Sequence, residues 1–126
     1  MNNTTKYGKL IGAYQLAGDD NALGKVKIVF PNHGNIYLHD TPSRYLFDRP
    51  KRAFSHGCVR VENPELLVEE LLEHDRNRLA GKVDSLIGEE EQRWVHFRRQ
   101  IPIHIEYRTV IADDAGRIGF LRDWYG

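Results

Sequence analysis

The stretch RAFSHGCVRVENP, residues 52–64, carries Cys58, the only cysteine among 126 residues. A thiol at neutral pH is mostly protonated and only its thiolate is strongly nucleophilic, so a reactive cysteine needs a base or a cation beside it. Two histidines supply that base: His56, just before Gly57 and the thiol, and His39, which ends an apolar run well upstream. If residues 56–58 are extended, His56 and Cys58 share a face, because side chains alternate along a strand. If the chain instead turns tightly through Gly57, the N–H groups of Gly57 and Cys58 are free to point at an oxyanion. Asp40, adjacent to His39, offers a carbonyl or a carboxylate to orient that imidazole. Against this stands the plain reading of a lone cysteine as a small buried hydrophobe. His33, His39, His56 and Cys58 also form a four-ligand set, but their spacing fits no common zinc pattern.

These residues need elements to position them. KVKIVF, residues 25–30, is alternating and β-branched and predicts a strand stopped by Pro31; residues 35–39, NIYLH, predict a second that ends on His39. The polar, basic stretch 41–54 predicts a loop with one helical turn near residues 44–47. Asn63 as N-cap, Pro64 at the first helical position and Glu65 in the first turn open the main helix. Leu67, Leu71 and Leu72 recur at helical spacing with Leu66 beside them, and Gly81 is the expected stop. DSLIGEEE predicts a further short helical piece. RWVHF and IPIHIEYRTVIA read as strands, and DDAG as the turn before RIGFL. Residues 1–24 read as loop with a short strand over 9–15. The order of elements predicts an α+β, mostly antiparallel fold.

Composition narrows the function. A formal net charge of +0 argues against non-specific nucleic-acid binding, which needs a strong excess of Lys and Arg. No apolar run approaches the roughly 20 residues of a membrane span, and MNNTTKYGKL lacks the apolar core and cleavage site of a signal peptide. One cysteine makes no intramolecular disulfide, so the thiol count leaves the compartment open. Arg44, Arg49, Lys51, Arg52 and Arg60 outnumber Asp40 and Asp48, which makes the region around the thiol locally positive. That is either a solvated loop or a site for a substrate carrying several carboxylates.

IYLHDTP followed by FSHGCVRVENPEL resembles the L,D-transpeptidase catalytic domain (the YkuD family), in detail its large YcbB-like branch. DNALGKVKIVFPN and IPIHIEYRTVIADDAGRIGFLRDWYG are similar to the same branch, so the resemblance covers about residues 20–126, with residues 1–19 poorly assigned. It implies an α+β, mostly antiparallel β-sheet or sandwich of the L,D-transpeptidase type, with one main helix after the Cys motif. By resemblance Cys58 is the nucleophile and His39 the general base, preferred to His56, which takes a supporting role. A backbone carbonyl at Asp40 holds the imidazole, Gly57 and Cys58 form the oxyanion-hole backbone, and Tyr37 lines the pocket. Arg60 and Ser55 are implied as substrate-binding, Arg60 through a carboxylate or by ordering the site.

The implied activity is peptidoglycan L,D-transpeptidation: a cysteine thioester forms with release of D-alanine, and a diaminopimelate amine resolves it. Peptidoglycan tetrapeptide stems are donor and acceptor, no cofactor or metal is needed, carbapenems acylate the thiol, and the site of action is the periplasm or cell envelope. Family members carry further strands and a lid upstream. Residues 1–126 therefore resemble the C-terminal portion of such a catalytic domain, an incomplete one that is expected to expose sheet surface and self-associate through it. The alternative is a truncated, non-catalytic remnant that binds peptidoglycan or a partner protein.

Overall fold

The computed structural model of the chain describes residues 6–9, 12–15, 21–55, 57–89 and 92–126, the first two segments by backbone alone. Among the described residues nine short strands, two α-helices and one 3-10 helix follow one another as β1 (Lys6–Lys9), β2 (Gly12–Gln15), β3 (Val26–Val29), β4 (Leu38–His39), the 3-10 helix (Arg44–Asp48), β5 (Val59–Arg60), α1 (Pro64–His74), α2 (Val83–Gly88), β6 (Trp94–His96), β7 (Pro102–Ile105), β8 (Val110–Ala112) and β9 (Ile118–Phe120). The central sheet runs β5-β4-β3-β2-β6; its β4–β5 pair is parallel and its other pairs are antiparallel. β1 pairs with β7, and β8 with β9, as separate antiparallel ribbons. The α+β class with one main helix is as expected.

The alternation in VKIV decides which face of the sheet is covered. Val26 and Ile28 are buried and cluster with Phe30, Ile36, Phe97, Val68 and Leu72 of α1, and Val83 of α2. Burying Ile28 and Leu72 completely stabilises the fold by about 1.5–3 kcal/mol each. The helical seam differs in register from the leucine spacing: Pro64, Val68 and Leu72 are the buried line, Leu67 and Leu71 flank it, and Leu66 is 60% exposed.

Four local expectations are corrected. The residue 9–15 strand is two strands that join different sheets. Strand pairing over residues 35–39 is confined to Leu38–His39, because the Asn32 side chain satisfies the preceding turn. Its Oδ1 accepts from the N–H groups of Gly34 and Ile36, its Nδ2 donates to the carbonyls of Phe30 and Ile36, and Asn35 takes φ 48. Asn63 makes no side-chain cap; its carbonyl instead accepts the Leu67 N–H at 3.1 Å. α1 stops at His74 rather than near Gly81. Arg76 adopts φ 51, its N–H donates to Glu73 O, and the Asn77 N–H donates to Leu72 O. That pair of bonds is a Schellman ending built on arginine in place of glycine.

Residues 101, 103 and 105 are half-buried while Pro102, His104 and Glu106 are exposed, as their alternation predicts. The residue 109–112 run, TVIA, does not follow its apolar composition: all of β8 is exposed. The largest exposed apolar side chains in this part of the molecule gather on the β8–β9 hairpin, with Ile118 and Phe120 on β9.

Candidate active site

Parallel pairing of β4 with β5 builds the site. Leu38 pairs with Val59 and His39 with Arg60, through Val59 N–H to Tyr37 O at 3.1 Å and Val61 N–H to His39 O at 2.9 Å. On β3, Lys27 pairs with His39. Lys27, His39 and Arg60 therefore stand in one row across three strands, on the sheet face opposite Val26 and Ile28. Alternation puts Tyr37 on that face too, and Cys58, one residue before β5, comes level with Tyr37 as a diagonal neighbour of His39. Both residues chosen as nucleophile and base thus belong to adjacent strand ends.

His39 is 5% exposed, and its Nδ1 lies 2.5 Å from the carbonyl oxygen of Asp40. A carbonyl only accepts, so Nδ1 carries the proton and the neutral ring presents Nε2 as a lone pair. Burial lowers the pKa of His39 below 6.5. The bond to the Asp40 carbonyl and the Asp40 carboxylate oppose this, while the positive charges of Arg60 and Lys27 reinforce it. The imidazole is therefore neutral at pH 7. Tyr37 meets the ring edge-on, with centroids 5.7 Å apart, and the ammonium of Lys27 sits 3.9 Å from the Tyr37 ring centre.

Asp40 orients His39 from a position that is itself fixed. Its buried carboxylate accepts the Lys25 N–H at 2.9 Å through Oδ2 and Arg44 Nη2 at 3.2 Å through Oδ1, and its own N–H donates to Val26 O. Arg44 bridges onward to Glu65 in the first turn of α1 at 2.9 Å. Gly24 makes this arrangement possible: it adopts φ +64, and a Cβ there would overlap Cβ, Cγ and Oδ2 of Asp40. Gly24→Ala is accordingly expected to cost about 2–4 kcal/mol from backbone strain and overpacking, and to slow any reaction that uses His39. Urea unfolding together with acylation rates checks this; a variant equal to the parent in both would show that the Asp40 carboxylate does not hold the base in place.

Around the thiol, Ser55 donates its hydroxyl hydrogen to Cys58 O at 2.5 Å and accepts the Gly57 N–H at a long 3.4 Å. Gly57 takes φ 144, a conformation that side-chain-bearing residues rarely adopt, so the turn before Cys58 depends on glycine. The half-buried Cys58 sulfur lies 3.9 Å from Asn35 O. A cavity of about 330 Å³ opens beside it, lined by the apolar Leu46, Phe47 and Phe54 and by the cationic Arg52 and Arg60. Nε and Nη1 of Arg60 are buried with no hydrogen-bond partner among the described residues. Such donors are costly unless something fills them, which makes the cavity receptive to an anion.

Of the site residues chosen from sequence, Ser55, Cys58 and Arg60 line one cavity, which His39 and Tyr37 do not line; His39 and Arg60 are paired across β4 and β5, and His56 lies outside the described residues. Of the basic set, Arg52 and Arg60 line the cavity, Arg44 is committed to Asp40 and Glu65, and Lys51 lies 5.1 Å from the Trp124 ring. Gly24, Lys27 and Asn35 were not anticipated. Nothing in their local sequence signals a close approach to residues so distant along the chain. Among the described residues no group of three or more His, Cys, Asp and Glu side chains gathers as a metal site, and no helix is long and apolar enough to cross a membrane.

A sequence model of the L,D-transpeptidase catalytic domain, YkuD, matches residues 1–82, a segment that holds every site residue named above except those of the C-terminal tail. A Haemophilus influenzae (strain ATCC 51907 / DSM 11121 / KW20 / Rd) protein whose description carries the same transpeptidase name is 36% identical over 110 residues. The aligned part is 87% of this chain and 22% of that protein, so the chain spans about a fifth of the relative's length. A match over well more than half of the chain, on the segment that builds the thiol site, makes this chain a member of the L,D-transpeptidase catalytic-domain family.

Proposed function

We propose that the chain is a peptidoglycan L,D-transpeptidase that works through a thioester on Cys58. The observation that carries this reading is the His39 ring. Its Nδ1 is committed to the Asp40 carbonyl, its Nε2 lone pair is available, and it stands on β4, the strand paired with β5, which begins directly after the chain's one thiol. Nε2 takes the thiol proton while sulfur attacks the carbonyl that joins the diaminopimelate L-centre to the terminal D-alanine of a donor tetrapeptide. The Cys58 N–H, joined by the Gly57 N–H as it leaves its long 3.4 Å contact with Ser55, receives the negative oxygen of the tetrahedral intermediate. The intermediate collapses as the protonated imidazole gives its proton to the departing D-alanine amine, leaving the thioester.

The side-chain amine of a second diaminopimelate then attacks the thioester carbonyl, loses a proton to His39 and displaces the thiolate, which is reprotonated. The product is a direct diaminopimelate-to-diaminopimelate cross-link; water in place of the amine gives carboxypeptidase activity. Arg60, which lines the cavity and keeps two buried donors unfilled among the described residues, and Arg52 are suited to the carboxylates of the stem. Ser55 acts chiefly by clamping the turn that presents Cys58. His56 takes a supporting role by its place in the motif, carbapenems acylate the same sulfur, and the reaction belongs to the cell envelope.

Incubation with purified tetrapeptide muropeptides tests the reading. Liquid chromatography with mass spectrometry is expected to detect free D-alanine and a cross-linked dimer in equal amounts. Neither product from intact, folded protein would overturn it.

A further inference from the structure

The C-terminal tail reaches the thiol cavity. Tyr125, next to last in the chain, lies on its lining together with Cys58 and Arg60. It falls outside residues 1–82, the segment matched by the family's sequence model. A terminal segment lacking tertiary anchors would be poorly ordered, but this one is tied down. The Tyr107 hydroxyl donates to Asp123 Oδ1 at 2.6 Å and accepts the Trp124 N–H at 2.7 Å, and the same Asp123 oxygen accepts the N–H groups of Tyr125 at 3.0 Å and Gly126 at 2.9 Å. The Tyr107 and Tyr125 rings meet edge-on at 5.0 Å. The Trp124 ring is flanked by two cations, with the Lys51 ammonium at 5.1 Å and the Arg122 guanidinium at 4.5 Å. Lys51 belongs to the loop that also supplies Arg52 and Phe54 to the cavity, so that contact fastens the tail to the cavity's own wall.

We infer that the tail forms one wall of the acyl-donor cleft and that Tyr125 is a specificity-determining residue, a flat aromatic face against which an extended, carboxylate-bearing peptide lies as it approaches Cys58. Three properties of the site lead there. The cavity, about 330 Å³, is at the small end of sites that enclose a ligand, so one aromatic wall is a large share of its surface. Its lining also supplies the Arg52 and Arg60 cations for carboxylates, which leaves Tyr125 and Phe54 to contact the uncharged part of a peptide. Tyr125 is 69% exposed, so most of its ring is free to be covered by a ligand. The inference rests on the transpeptidase reading for the identity of the donor, though not for the existence of the wall.

Because Cys58 is the chain's one cysteine, alkylation reports on this cavity alone. The test compares the parent, Tyr125→Ala and Tyr125→Phe in two assays. The first is the ratio of Cys58 alkylation rates by a bulky pyrenyl maleimide and by iodoacetamide. The second is the half-saturating concentration of a tetrapeptide donor in D-alanine release. Removing the ring is expected to raise the maleimide-to-iodoacetamide ratio several-fold and the half-saturating concentration about tenfold, the size of one lost aromatic contact. Maximal rate should change less, and Tyr125→Phe should match the parent in both. An unchanged alkylation ratio in Tyr125→Ala overturns the wall, and an unchanged half-saturating concentration in an active protein overturns the specificity role. A changed ratio in a parent that releases no D-alanine would keep the wall and sink the transpeptidase reading instead.

Discussion

Cys58→Ala is expected to lower D-alanine release by at least about a thousandfold, the scale seen when a covalent nucleophile is removed and only binding and oxyanion contacts remain. Folding should be nearly untouched. Cys58 is half-buried, and among the described residues its sulfur makes a weak 3.9 Å approach to Asn35 O, so little is lost with it. The proposed oxyanion donors, the N–H groups of residues 57 and 58, are backbone groups and survive the substitution. Melting temperature and intact-mass labelling by a carbapenem, measured on the same sample, separate loss of chemistry from loss of structure. A variant that still acquires the adduct would show that another residue is acylated.

His39→Ala is the second large effect. Removing a positioned general base costs about 10²–10⁴-fold, and the loss should fall on thioester formation, where the thiol proton must move. The pH dependence carries the signature. Burial lowers the His39 pKa below 6.5, so the ring stays neutral, and competent as a base, to lower pH than a free imidazole would. The acid limb of the parent's acylation profile should therefore lie below pH 6.5, and His39→Ala should abolish that limb. The sign for stability follows from the same shift. The unfolded chain binds a proton at 6.5 that the folded chain resists, so stability is fully present above that value and is lost as pH falls through the lower folded value. Pre-steady-state acylation of His39→Ala and His56→Ala decides which histidine acts: a slower His56→Ala would move the base to the motif histidine.

Much of this site could be read from residue types alone, since a lone thiol in SHGCVR and a histidine ending IYLH are local facts. The faces could not. That His39 and Arg60 share one side of the sheet, with Cys58 just before β5, depends on the parallel register of β4 and β5, and nothing in either strand announces its partner. The main helix was legible from Pro64 onward but not at its end, because the left-handed residue that terminates it is Arg76, where glycine is the usual signal. The side-chain turn at Asn32 shortened the second strand without any proline to mark it. The hairpin misled for the opposite reason: TVIA has the composition of a buried strand, yet β8 pairs only with β9 and is exposed along its length. The approaches of Gly24 to Asp40 and of Tyr125 to Cys58 are tertiary, invisible to periodicity.

The central claim is a thioester on Cys58 formed with loss of D-alanine. Rapid-quench mass spectrometry of the protein mixed with a tetrapeptide donor, followed by acidic proteolysis and peptide mapping, tests it most directly. The account predicts a transient adduct with the mass of the donor minus D-alanine, carried on the peptide containing Cys58, discharged by hydroxylamine and missing in Cys58→Ala. D-Alanine released from the parent with no adduct at any time, or an adduct mapping elsewhere, would contradict it.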